Sequence, residues 1–430
     1  MRIRKVIGVA ALSLLAGTAS AQVAVGERLV VVSNNGNLEG SVTSFLLDSE
    51  DAPVFVNRVV TGVTDSTSNP VPGTNAYAID ISPDGRLIAV SHATAFTGQE
   101  QLDIFTVAPD GTIALLDSGS TPDSPLDLKW VNNSLLAVTQ TSFGGANGVH
   151  LYRVNRDTGS LNRTDFEGVG SFLGYLAVHP SRRFIYGGDG SGNAIFVIEV
   201  DADGNLDLIQ TVFTSPTYAL DIDLTSDGTK LYVAGGISNG RNNVLGFDVA
   251  PNGTLSPMDT PLNISAGNSP KGVTVSADDA LLYVDHGTDA TVRSFFINAD
   301  GSLTSTGNVF DVGLQGSHGE TATLPGVVLF TDDTTAIDGI RGLYSFGVDA
   351  TGSFANQNGP IVDTQGISPE HLVAWQRLCN ADLTASGDPN TLTYGVPDGD
   401  ADADDFFFYL DAFVAGDLGV CDFTGSSDPN

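Results

Sequence analysis

Two imidazoles, two carboxylates and one ammonium stand at the starts of strand-like runs: His318 and Glu320 in Ser317-His318-Gly319-Glu320, Glu370 and His371 in Pro369-Glu370-His371, and Lys271 in Pro270-Lys271-Gly272. Such a set contains the parts of general acid–base hydrolysis, a base to take a proton from water and a cation to hold a developing negative charge, if the fold brings them together. A second set is rich in oxygen. Asp382, Asp398, Asp400, Asp402 and Asp405 fall in a late segment with Gly399 among them, and calcium takes roughly six to eight oxygen ligands from such turns. A solvated acidic linker is the alternative reading of the same run. Cys379 and Cys421 are the only cysteines. In an exported chain an isolated pair invites a disulfide, although sequence alone does not bring the two sulfurs within reach.

These groups act together only if the chain converges them, and a recurring unit provides the means. Asp-Gly-like turns follow apolar runs at Asp110-Gly111, Asp157-Thr158-Gly159, Asp203-Gly204, Asn252-Gly253, Asp300-Gly301 and Asp349-Ala350-Thr351-Gly352, in steps of 47, 46, 49, 48 and 49 residues. A second series lies half a unit away, at Asp84-Gly85, Asn132-Asn133, Ser181-Arg182, Asp227-Gly228 and Asp278-Asp279. Two turns per unit predict four short strands. The runs alternate with period two, as in Ile104-Phe105-Thr106-Val107, or are continuously apolar, as in Ala194-Ile195-Phe196-Val197-Ile198, which excludes a helical solenoid of similar period. A four-stranded unit cannot bury both of its faces alone and must stack on neighbours, so the chain is predicted to be an all-β propeller.

Six complete units run from about Asn75 to Phe354. Arg28 to Val32 and Ser41 to Leu47 read as outer strands of an incomplete blade, and Gly366 to Trp375 as the first strand of another. Pairing the N- and C-terminal strands gives a seventh blade and closes the ring, leaving no strand edge open to aggregation. Innermost strands of such a ring line a central channel, where Lys271, His318, Glu320, Glu370 and His371 are expected to converge. Water alone also favours polar residues in a channel, and that reading stays open beside the catalytic one.

Three segments follow: 1–21 a secretory signal, 22–376 the propeller and 377–430 an acidic module. Met1 to Lys5 form a basic start, Val6 to Leu15 an apolar core too short to span a bilayer, and Ala19-Ser20-Ala21 a small-residue cleavage site. Secretion, or display at the cell surface, is therefore expected. The formal net charge of −33 repels phosphate backbones and anionic lipid, which argues against nucleic-acid and bilayer partners.

In the acidic module, Cys379-Asn380-Ala381-Asp382-Leu383-Thr384 recurs as Cys421-Asp422-Phe423-Thr424, and Asp398 to Asp405 run directly into Phe406-Phe407-Phe408-Tyr409-Leu410. This resembles part of a dockerin-like module of exported bacterial proteins. The resemblance implies calcium held by Asp382, Asp398 and Asp405 with neighbouring Asp400 and Asp402, and a protein partner bound through the module.

Leu176-Ala177-Val178-His179-Pro180-Ser181-Arg182-Arg183-Phe184-Ile185-Tyr186, with like stretches from Tyr77 and Leu220, resembles a blade of the seven-bladed lactonase propellers, over about Glu27 to Trp375. That family includes bacterial 6-phosphogluconolactonases and fungal muconate-cycloisomerising enzymes, with Arg, His and Glu around the channel mouth. Its recurring Pro-Arg-His corresponds here to Pro125-Leu126-Asp127, Pro216-Thr217-Tyr218, Pro270-Lys271-Gly272, Ser317-His318-Gly319 and Pro369-Glu370-His371; none has the Arg and two keep a His. The leading expectation is therefore an extracellular binding or scaffold protein, with a small-molecule or carbohydrate ligand at the channel and tethering through the tail. The alternative is a lactone hydrolase with His or Glu as base and Lys271 as electrostatic stabiliser, needing no cofactor in the propeller.

Overall fold

The computed structural model describes residues 27–376 apart from 67–68, 94–99, 142–146, 171, 215–217, 236–242, 259–268, 288–290, 312–317 and 333–341, together with 392, 393, 396, 404, 408 and 409. Seven antiparallel sheets form the described residues, six of four strands and one with a short fifth. Blade 1 begins with Ala76–Ile81, blade 2 with Ser124–Trp130, blade 3 with Leu173–Val178, blade 4 with Asp221–Leu224, blade 5 with Pro270–Val275 and blade 6 with His318–Leu324. In blade 7 the innermost strand is Pro369–Gln376, and the other three are Arg28–Asn35, Glu39–Leu47 and Pro53–Val63. Each innermost strand packs on those of its two neighbours, and Pro369–Gln376 meets both blade 6 and blade 1, so the ring closes.

The apolar runs of the sequence become the second and third strands, those at 104–107 and 194–198 falling in third strands. Leu87–His92, Leu135–Thr141, Phe184–Asp189, Leu281–His286 and Val327–Asp332 are buried at every position, because both faces of each blade pack on a neighbouring blade. Fourth strands such as Leu161–Gly168 and Leu303–Asp311 are instead half-buried or exposed along their whole length. Accordingly the core is divided into seven apolar clusters, one in each gap between adjacent blades.

Closure is specified by Arg28↔Gln376, Leu29↔Trp375, Val30↔Ala374, Val31↔Val373 and Val32↔Leu372. Trp375 then reaches blade 1, where its Nε1 donates to the Pro83 carbonyl at 3.0 Å and its ring covers Gly85. Gly85 has φ +71°, and a Cβ there would lie within 3.0 Å of the indole ring, so both backbone and packing require glycine.

In the tail, Leu392 is buried in the cluster between blades 2 and 3, and Asp404, Phe408 and Tyr409 are helical. The proposed calcium ligands Asp382, Asp398, Asp400, Asp402 and Asp405, and both Cys379 and Cys421, lie outside the described residues. Among the described residues no helix is long and apolar enough to cross a membrane.

Candidate functional site

A repeated irregularity builds the site. In six blades the innermost strand starts with a β-bulge, where an extra residue opposes the second strand. Gly319 and Glu320 face Thr331 between His318↔Asp332 and Thr321↔Phe330, and Glu370 and His371 face Ser33 between Val32↔Leu372 and Asn34↔Pro369. Equivalent bulges carry Tyr77, Asp127, Gly174 and Lys271. A bulge breaks strict alternation and re-aims side chains, and residues at or beside these bulges line a small cavity at this end of the channel.

The cavity has a volume of about 20 Å³, room for about one water molecule. Tyr77, Asp127, Tyr175, Lys271, Glu320 and His371 line it. Later residues of the same strands, including Asp80, Lys129 and Asp223, line a wider chamber of about 400 Å³, and Asp221 and Glu320 border both spaces.

At the centre of the small cavity, His371 Nδ1 donates to Glu320 Oε2 at 3.0 Å, since a carboxylate can only accept. The Tyr77 ring packs edge-on against the imidazole, with centroids 4.4 Å apart. His371 Nε2 is buried and has no hydrogen-bond partner among the described residues. Beside the dyad, Lys271 Nζ lies 3.5 Å from Glu370 Oε1, and Asn35 Nδ2 donates to Glu370 Oε2 at 2.6 Å.

Burial works against the His371 charge, but the Glu320 carboxylate and its hydrogen bond outweigh it and raise the imidazole pKa. Burial likewise disfavours the Glu320 charge, and His371 followed by Lys129 overcomes that and lowers the carboxyl pKa. Burial raises Asp127 to about 6, with Lys129 opposing and Glu320 adding to the rise. Asp221 is pushed well above the carboxylate range by burial and then by Glu320. Burial also raises Tyr77 and Tyr175, so both phenols stay protonated and able to donate.

The carboxylates also join neighbouring blades. Asp80 Oδ2 accepts from Trp130 N at 2.7 Å, Asp127 Oδ2 from Leu176 N at 2.6 Å, Asp221 Oδ2 from Val273 N at 2.8 Å and Asp223 Oδ2 from Val275 N at 2.7 Å. Each satisfies a backbone donor that an innermost strand would otherwise leave facing the channel.

Of the residues expected to converge, Lys271, Glu320, Glu370 and His371 do so. His318 heads its strand opposite Asp332, and its side chain lies outside the described residues. Asp127, Asp221, Lys129, Tyr77 and Tyr175 were not anticipated as site residues. Their signal was Asp127-Leu128-Lys129 and Asp221-Ile222-Asp223, polar residues two apart in strands with no solvent face. Other histidines have structural partners: His92 meets Asp103 at 3.0 Å and Thr74 O at 3.1 Å, and His179 meets Gly228 O at 3.1 Å. Among the described residues no cluster of His, Cys, Asp or Glu is arranged to hold a metal.

Known proteins share this architecture. A periplasmic gluconolactonase of Pseudomonas aeruginosa is 19% identical, with 81% of this chain and 99% of that one covered at a TM-score of 0.64. A provisionally assigned 6-phosphogluconolactonase of Bacteroides fragilis is 18% identical, covering 81% and 98% at 0.59. A functionally unknown protein of Desulfotomaculum acetoxidans is 15% identical, covering 80% and 99% at 0.57. No curated protein matches the chain. At these identities the likeness is one of fold. The sequence itself matches the description "Lactonase, 7-bladed beta-propeller" over residues 28–172 and 175–317. This chain therefore belongs to the lactonase family of seven-bladed β-propellers.

Proposed function

We propose that this propeller hydrolyses a lactone at the channel mouth where its innermost strands start, with the small cavity, which has room for about one water, holding the attacking water. The observation that carries the reading is the His371–Glu320 dyad, in which Nδ1 is held at 3.0 Å while the buried Nε2 has no partner among the described residues. A base needs a free lone pair in a fixed direction, and this arrangement supplies one. Family membership and lactonase-type neighbours favour hydrolysis over the extracellular scaffold role that loss of the Arg positions had suggested.

In the proposed reaction Nε2 takes a proton from water as the water oxygen bonds to the lactone carbonyl carbon. Lys271, on the cavity wall, stabilises the oxyanion, and the protonated Tyr77 and Tyr175 phenols are further donors. Collapse breaks the ring carbon–oxygen bond, and the leaving alkoxide recovers the proton from Nε2. The product is a hydroxy acid.

A panel of lactones incubated with the full chain and with His371→Ala tests the reading. Loss of general-base catalysis should cost roughly 10²- to 10⁴-fold in kcat. Equal turnover by the two proteins, or none across the panel, rejects it. From sequence alone, Met1 to Ala21 are further proposed to direct export, and the Asp-rich tail to bind calcium and tether a protein partner. Calorimetry of the full chain with calcium tests the metal, and absence of heat at millimolar calcium removes it.

A further inference from the structure

Each cation on the described wall of the small cavity already has a carboxylate beside it, which leaves Lys271 enough charge to polarise a carbonyl but no surplus positive charge to hold a substrate's phosphate. Lys271 faces Glu370 at 3.5 Å and His371 faces Glu320 at 3.0 Å. Two further carboxyl groups, Asp127 and Asp221, complete the acidic side of the wall, whereas Tyr77 and Tyr175 offer aromatic surface and phenolic donors. An incoming phosphate would have to displace Glu370 or Glu320 from its partner and then sit among the remaining carboxyl groups. A neutral ring bearing hydroxyl groups meets the opposite situation, because carboxylates accept from hydroxyls and aromatic rings pack on sugar faces.

Resting on the hydrolytic reading above, we propose that the site selects an uncharged polyhydroxylated lactone over its phosphorylated counterpart, and that the same charges expel the product. Ring opening turns a neutral substrate into a hydroxy acid that ionises to a carboxylate beside the acidic wall. The formal net charge of −33 extends the effect outward, since it slows the approach of anions and leaves neutral molecules unaffected. The strengthened hold of Asp127 on its proton, pushed up to about 6 by burial with Lys129 opposing and Glu320 adding, reflects the same resistance to further negative charge.

The test compares glucono-1,5-lactone with its 6-phosphorylated form, using the full chain at one pH and at low and high ionic strength. We expect kcat/KM to favour the neutral lactone by about tenfold or more at low salt, the scale of one unscreened like-charge contact. Added salt should raise kcat/KM for the phosphorylated form and leave the neutral one unchanged. Gluconate should inhibit only well above the KM of its lactone. Preference for the phosphorylated lactone, or a fall in its kcat/KM with salt, overturns the proposal while hydrolysis stands. No turnover of either overturns both readings. Asp127→Asn should narrow the preference, and the salt arm on the unaltered protein decides the matter if that variant fails to fold.

Discussion

Replacing Glu320 with Gln separates a catalytic dyad from two side chains that merely touch. The substitution keeps the shape and a hydrogen-bond acceptor for His371 Nδ1, but removes the negative charge 3.0 Å away. A hydrogen bond to a charged group contributes about 1.5–3 kcal/mol, against about 1 for a neutral one. In the transition state His371 becomes an imidazolium, so the charge should matter more there than in the ground state. Because the neutral bond remains, the loss is the difference, about 0.5–2 kcal/mol, or roughly a 2- to 30-fold fall in plateau kcat. The pH profile moves as well. In the native protein Glu320 raises the His371 pKa against the opposing effect of burial; without the charge, burial dominates and the imidazole loses its proton more readily. The acid limb of kcat should therefore shift to lower pH while the plateau drops. Steady-state rates on any lactone that the native protein turns over, measured across pH for both proteins, provide the assay. An unchanged plateau, or a limb that stays or moves to higher pH, would refute the assignment of His371 as base and Glu320 as its orienting partner.

Other expectations follow from closure and charge. Gly85→Ala should destabilise the fold by about 2–4 kcal/mol, combining left-handed backbone strain with overpacking against Trp375, read as a lower urea midpoint. An unchanged midpoint would show that the contact does not restrain the closing strand. Asp127, Asp223 and Asp285 are each pushed up to about 6, burial being the first cause in every case. A carboxyl that holds its proton more tightly when folded favours the native state increasingly as pH falls from about 6 towards 4, by up to about 3 kcal/mol each. Urea midpoints should consequently rise between pH 7.5 and about 5, and a fall over that interval would contradict the burial of these groups. Lys271→Met should lower kcat more than it raises KM, because its charge is needed mainly at the oxyanion; a change confined to KM would assign Lys271 to substrate binding instead.

The blade count and the closing pair were legible because their signals are local or periodic. Turn residues such as Gly85, Arg182, Gly228 and Asp279 all adopt positive φ, and their spacing along the chain is the blade repeat. Pairing Arg28–Asn35 with Pro369–Gln376 could be anticipated because each end carried an otherwise unpartnered strand. The bulges were not legible, since a one-residue shift in register is a property of two strands and not of either sequence. They are why Glu370 and His371, consecutive in the chain, both belong to the site. Asp127, Lys129, Asp221 and Asp223 were missed for a related reason: alternating polar residues normally mark a solvent face, whereas here the alternate face is the channel.

That channel imposes opposing demands on the molecule. Its carboxyl groups join Asp80 to Trp130, Asp127 to Leu176, Asp221 to Val273 and Asp223 to Val275, so they cannot be removed without orphaning backbone donors of the adjacent blade. Their burial makes the folded state more favourable as protons are added. The base needs the reverse, because His371 acts only when its Nε2 lone pair is free and Glu320 holds the imidazolium to higher pH. Activity should thus climb with pH over the interval in which the ring becomes less stable. The negative charges that cause this conflict are also those that would reject an anionic substrate and discharge an anionic product, so neutralising them to gain stability should reduce selectivity.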